Sequence, residues 1–293
     1  MNKPITLLFL LALAACNPDF KEAKQLRIAC DAGDAKACNS FAIKLQNGTH
    51  VLKDEARAGL VFDKACTAGI GPSCASLGIM SEEGSGIKKD SVRAVKLFER
   101  GCELHAMEGC TRLGVATLAR ADAPRAATLF TQACTGGDMP GCAHLASLHV
   151  SGTGVPQDFD RAATLFKKAC DAKVAQGCVG LGKLYAAGTG VAQNDSMAAS
   201  FYKQSCEHGS RAGCFPLAVA VENGRGVQQN YRRAADLYET ECDERRNGEA
   251  CAHLADMMKK GAGLYQDTAQ ARQYHEKACS YGYAASCIKP KGA

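Results

Sequence analysis

Small and apolar residues recur along this chain at intervals of four and eight. Ala58, Phe62 and Cys66 set the pattern, and Ala94, Phe98 and Cys102 repeat it, as do Ala126, Phe130 and Cys134. Ala162, Phe166 and Cys170, then Ala198, Tyr202 and Cys206, then Ala234, Tyr238 and Cys242 continue it. Such spacings put alanine, ring and cysteine on one face of a helix. Twelve residues ahead of each such cysteine, and of Cys279, stands Asp54, Asp90, Asp122, Asp158, Asn194, Asn230 or Asp267. A side-chain oxygen there accepts from the orphan amides of a first turn, so each marks a helix start.

Each of these cysteines is followed by a second, eight residues on or, for Cys242, nine. Three residues past the second cysteine comes Phe41, Leu77, Leu113, Leu145, Leu181, Leu217 or Leu254. The next position is always small: Ala42, Gly78, Gly114, Ala146, Gly182, Ala218 or Ala255. Glycine inside a helix costs about 1 kcal/mol against alanine, so its return there predicts a close neighbour. This second helix ends at Gly84-Ser-Gly86, Gly152-Thr-Gly154, Gly188-Thr-Gly190, Gly224-Arg-Gly226 or Gly261-Ala-Gly263. None of these opens a helix after a strand, so none is a phosphate loop. A loop around Arg120 to Pro124 is four residues shorter and lacks the glycines.

First cysteines lie 36, 36, 32, 36, 36, 36 and 37 residues apart. That period belongs to an all-α solenoid of helix-turn-helix repeats. A hairpin of this size cannot bury enough surface to stand alone, so the repeats must stabilise one another. One array from residue 19 to 293 is expected, without a second domain.

Cysteine usage adds a covalent element. Sixteen of the seventeen cysteines resolve as Cys30 with Cys38, Cys66 with Cys74, Cys102 with Cys110, Cys134 with Cys142, Cys170 with Cys178, Cys206 with Cys214, Cys242 with Cys251 and Cys279 with Cys287. The pairs contain neither C-x-x-C nor histidines at ligand spacing, which disfavours zinc and thiol redox chemistry. In an oxidising compartment they read as local disulfides clamping each hairpin at its turn. Cys16 is left over. It closes MNKPITLLFLLALAAC, whose short apolar run reads as a cleaved export signal over residues 1–15. Leu13, Ala14 and Ala15 before it resemble the bacterial lipobox, which implies lipidation at Cys16, a short linker over 16–18 and anchorage to an envelope membrane. Asn17 resembles the residue that sorts such proteins to the outer membrane, facing the periplasm or the surface.

Gly177 to Val191 carries the pattern Ala-x-x-Leu-Gly-x-x-Tyr-x-x-Gly-x-Gly-Val, with Cys178 in place of the first alanine. It resembles the Sel-1-like repeat, a relative of the tetratricopeptide repeat. With a cysteine pair in each hairpin, the chain is similar to the Helicobacter cysteine-rich proteins. The resemblance implies a right-handed α-solenoid whose concave face, lined by the second helices, binds a protein, peptide or envelope glycan. It also implies an alternative, penicillin binding or weak β-lactam hydrolysis.

Composition narrows the partners little. A net charge of +5, from 35 basic and 30 acidic residues, creates no strong field, and no basic tract points to nucleic acid. The seven histidines are scattered; His144 and His253 share the context Cys-Ala-His-Leu-Ala at a position filled elsewhere by Ser40, Ser76, Arg112, Gly180 or Pro216. No metal or cofactor is expected, and a monomer is. Ser85 with Lys88 and Ser200 with Lys203 match the Ser-x-x-Lys of serine β-lactamases, without the companion Ser-Asp-Asn and Lys-Thr-Gly motifs. Candidate groove residues are those of the second helices' last turns: Glu82, Glu83, Glu222, Asn223, Lys259 and Lys260.

Overall fold

A computed structural model describes residues 18–207 and 211–287. Cys16 and the predicted export signal lie outside the described residues. Among the described residues there are fifteen α-helices and no strand. In chain order they are α1 Pro18–Asp31, α2 Ala35–Asn47, α3 Glu55–Thr67, α4 Gly71–Glu83, α5 Ser91–Glu103, α6 Met107–Leu118, α7 Ala123–Thr135 and α8 Met139–Ser151. Then come α9 Phe159–Asp171, α10 Ala175–Ala187, α11 Asp195–Glu207, α12 Arg211–Asn223, α13 Tyr231–Asp243, α14 Gly248–Lys260 and α15 Thr268–Ser280. A single 3₁₀ turn, Ala284–Ser286, stands where the last hairpin's second helix would begin. The chain divides into two compact units, one ending at Gly141 and the other beginning at Cys142.

Each first helix starts where its cap dictates. The Asp54 carboxylate accepts from the Arg57 amide, Asp90 from Arg93, Asp122 from Arg125 and Asp158 from Arg161. Asn194 and Asn230 do the same for Met197 and Arg233, and Asp267 for Ala269 and Gln270. The cap motif also sets an inter-repeat tie. Arg93, third in α5, reaches Asp63 of α3 at 2.9 Å, and Arg125 of α7 reaches Glu99 of α5 at 3.1 Å.

Disulfides close the hairpins at the turn. Cys30–Cys38, Cys66–Cys74, Cys102–Cys110, Cys170–Cys178, Cys206–Cys214, Cys242–Cys251 and Cys279–Cys287 have Cα separations between 4.5 and 4.8 Å. Cys134 and Cys142 are also in disulfide form. At the far end of a hairpin the chain doubles back onto its own first helix. Gly86, with φ of +69°, lies so near the Glu55 and Ala56 backbone that a Cβ would sit 2.4 Å from Glu55 C. Only glycine serves there, on both conformational and steric grounds.

Core rings are supplied by the first helices. Phe62, Phe98, Phe130 and Tyr238 are fully buried, while Phe166 and Tyr202 are nearly so. The small position of the preceding second helix makes room for the ring. A Cβ on Gly78 would meet the Phe98 ring at 2.6 Å, one on Gly114 the Phe130 ring at 2.6 Å, and one on Gly182 the Tyr202 ring at 2.7 Å. The close neighbour predicted from the glycines is therefore a ring edge.

Two irregular repeats have local reasons. In the short loop, Ala121 takes φ of +65° with no glycine, and Asp122 caps α7 directly. In the 242–251 hairpin, Glu241 is buried and paired with Arg245 of the turn. Elsewhere the residue before the first cysteine is Ala29, Ala65, Gly101, Ala133, Ala169, Ser205 or Ala278. The extra residue lengthens the turn that carries the cation to this exceptional carboxylate. In α15 the buried ring is Tyr274, five residues before Cys279 rather than four.

Candidate functional site

The groove residues named from sequence fall into two behaviours. Glu82, Glu83, Asn223, Lys259 and Lys260 are exposed at the ends of α4, α12 and α14. Their contacts are loose: Glu82 lies 3.9 Å from Arg112, and Glu83 accepts from the Ser85 hydroxyl at 3.3 Å. Asn223 turns back to its own helix, donating to the Val219 carbonyl at 2.8 Å. Glu222 differs. Its carboxylate accepts from the Tyr238 hydroxyl at 2.7 Å and meets His253 Nδ1 at 3.1 Å, with its side chain one-fifth exposed. The His253 ring stacks on Tyr238 at 4.9 Å, and Phe215 packs edge-on against His253 at 5.8 Å. Burial first, then the bond to Glu222, pushes the Tyr238 phenol far above its ordinary value. Glu222, offered by the sequence as an exposed groove residue, is thus an internal bracket between α12, α13 and α14.

The contact has a repeating logic. Glu82 with Arg112 and Glu222 with His253 pair the same two positions, the eighth residue past one second cysteine and the second residue past the next. The preceding repeat of the second unit fills these two positions with Ala186 and Pro216. Without carboxylate and imidazole, the same place is an open cleft of about 340 Å³. Ala198, Ala199, Phe215, Pro216, Val219 and Ala220 form its apolar walls, and Tyr202 lines it where Tyr238 would be covered.

Polar groups stand at the margins. Arg225 and Asp195 face each other at 3.3 Å, Glu249 is exposed, and His253 presents the far side of the bracket. Burial raises the Tyr202 phenol's pKa; the Arg225 charge opposes that rise and Asp195 adds to it. Unlike Tyr238, Tyr202 has no acceptor for its hydroxyl among the described residues.

Sequence reasoning did not find this cleft. Its only signal was a contrast between repeats, Ala186 and Pro216 standing where the next repeat has Glu222 and His253.

Among the described residues, Ser85 and Ser200 have no base within hydrogen-bond reach except the Glu83 carboxylate beside Ser85. Ser85 sits on a loop with its hydroxyl on Glu83, and Ser200 is on the exposed side of α11. Lys203 pairs with Glu207 at 3.6 Å. Among the described residues no His, Cys, Asp and Glu group could hold a metal ion, and no helix is long and apolar enough to cross a membrane.

Comparison with known proteins places this arrangement. In solved structures the chain is similar to a protective antigen of uropathogenic Escherichia coli strains with an SLR fold, at 25% identity and a TM-score of 0.71. That match covers 90% of this chain, which spans 57% of the antigen's length. A Sel1 repeat protein from Oxalobacter formigenes shares the fold at 21% identity, TM-score 0.65, over 93% of this chain and 81% of that one. Cysteine rich protein B of Helicobacter pylori matches at 28% identity over 44% of this chain and 96% of its own, with a TM-score of 0.37. No curated protein matches. The family model for the Sel1 repeat matches residues 71–105, 108–138, 140–174, 175–210, 212–240 and 248–283, and the chain belongs to the Sel1 repeat family.

Proposed function

We propose that this protein is a non-enzymatic adaptor that holds a protein or peptide on the face built by its second helices. The observation that carries the reading is the Tyr202–Phe215–Pro216 cleft: a concave, mostly apolar site with polar groups at its edge. Sel1 repeats are scaffolds of this kind, and helices stacked in register offer an extended partner several shallow contacts. The same proposal includes export and lipid attachment at Cys16, supported by Leu13-Ala14-Ala15-Cys16 and by the even set of local disulfides, with the bacterial outer membrane as destination.

Cross-linking and capture from envelope extract with the disulfide-intact protein tests the adaptor. Capture should need the folded second-helix face and survive Ser85→Ala and Ser200→Ala. Nitrocefin turnover abolished by either serine variant would replace the reading with an enzymatic one. Mass spectrometry of the mature N-terminus tests the tether, and an unacylated end in the wild type refutes it.

A further inference from the structure

We infer that the cleft over Tyr202 takes an extended peptide segment carrying an apolar side chain next to a lysine or arginine; this rests on the adaptor reading. The next repeat shows what a filled version looks like. There Glu222, sixteen residues before Tyr238, accepts the tyrosine hydroxyl, and His253 covers the ring. Sixteen residues before Tyr202 stands Ala186, which can do neither, and Pro216 replaces the imidazole. Tyr202 lines the cleft without a carboxylate like Glu222 beside it, so a bound segment can take the place of water as acceptor for its hydroxyl.

The bound segment's chemistry follows from what the cleft lacks and what it offers. A backbone carbonyl supplies the acceptor that Ala186 does not. Phe215, Pro216 and Val219 receive an aliphatic side chain in place of water. Charge then decides the neighbouring residue. The one guanidinium at the rim, Arg225, is engaged by Asp195, whereas the Glu249 carboxylate has no partner among the described residues. Glu222, already holding Tyr238 and His253, adds negative potential behind it. A cation beside the apolar side chain matches this field; an acidic residue opposes it.

The test uses the full disulfide-intact protein and labelled, acetylated and amidated decapeptides centred on Leu-Lys, with Ser-Lys and Leu-Glu controls, read by fluorescence anisotropy. Leu-Lys peptides should bind best. Ala186→Glu, which installs the neighbouring repeat's own plug, should weaken them about tenfold, and Tyr202→Phe several-fold, the scale of one lost hydrogen bond or of a filled site. Glu249→Lys should shift preference towards Leu-Glu. Unchanged melting curves for Tyr202→Phe and Glu249→Lys separate these effects from misfolding. Equal binding of Leu-Glu by the wild type, or no effect of Ala186→Glu, overturns the cleft assignment while the adaptor stands. Absence of peptide binding overturns the cleft as well, and absence of any cross-linked protein in the extract experiment overturns the adaptor with it.

Discussion

Glu222 shares its place on the second helix with Glu82, yet the two carboxylates have different physical tasks. Reversing Glu82 or Glu83 changes exposed charges, which contribute little to folding. Glu222→Lys strands the Tyr238 hydroxyl and sets a cation against His253, so it should destabilise the fold by about 1–3 kcal/mol, measurable by denaturant unfolding. Periodicity put both residues in one column but could not say which had a mate. Glu222 meets His253, 31 residues away, and only side-chain identity in the next repeat decides that. A second prediction concerns pH. Tyr202, Tyr238 and Tyr274 have phenols raised above the ordinary 10.0, in each case chiefly by burial. The folded state therefore keeps protons that the unfolded chain loses, and stability falls as pH rises beyond about 10. Absorbance titration should show Tyr202, Tyr238 and Tyr274 ionising above the ordinary phenol range; ionisation of all three near pH 10 in the folded protein would contradict it.

Helix starts were legible because one side chain sets each: an Asp or Asn oxygen meets its amide in all seven capped first helices. Hairpin irregularities were visible as counts but not as causes. The nine-residue spacing between Cys242 and Cys251 accompanies a buried carboxylate, Glu241, whose partner Arg245 lies in the enlarged turn. Arg245→Ala removes a charge-assisted bond to that buried carboxylate and should destabilise the fold by about 1.5–3 kcal/mol, while the same change made in a Glu241→Ala background should cost less. Chemical unfolding of the single and double variants measures the coupling. Small positions were equally informative about proximity and silent about its agent. Gly78→Ala should lower stability by about 1–3 kcal/mol, since the Phe98 ring occupies the space a methyl needs.

Across the molecule, the fold class followed from a repeating unit, whereas the cleft did not, because it arises where one repeat departs from the others. Ala186 and Pro216 are unremarkable alone; they matter by contrast with Glu222 and His253. Each covalent clamp closes a loop of eight or nine residues and, by loop entropy, contributes about 2.5 kcal/mol. Replacing Cys170 and Cys178 by alanine should accelerate amide exchange in α9 and α10 before distant helices respond. Uniform acceleration across both units would show that the hairpins do not open independently.

The brevity of those bridges has a consequence for how the protein is made. Every described disulfide joins a cysteine to the very next one in the chain. An oxidase working on a chain that emerges N-terminus first therefore produces correct bonds simply by linking thiols in order of arrival, without a reshuffling step. Such counting tolerates no odd thiol at the front. Cys16 precedes all sixteen others and would offset each subsequent match by one. Acylation of its sulfur, as proposed, removes it from the count. Cys16→Ser should accordingly oxidise cleanly, whereas wild-type chain whose acylation is blocked should accumulate ladders of shifted bonds on non-reducing gels.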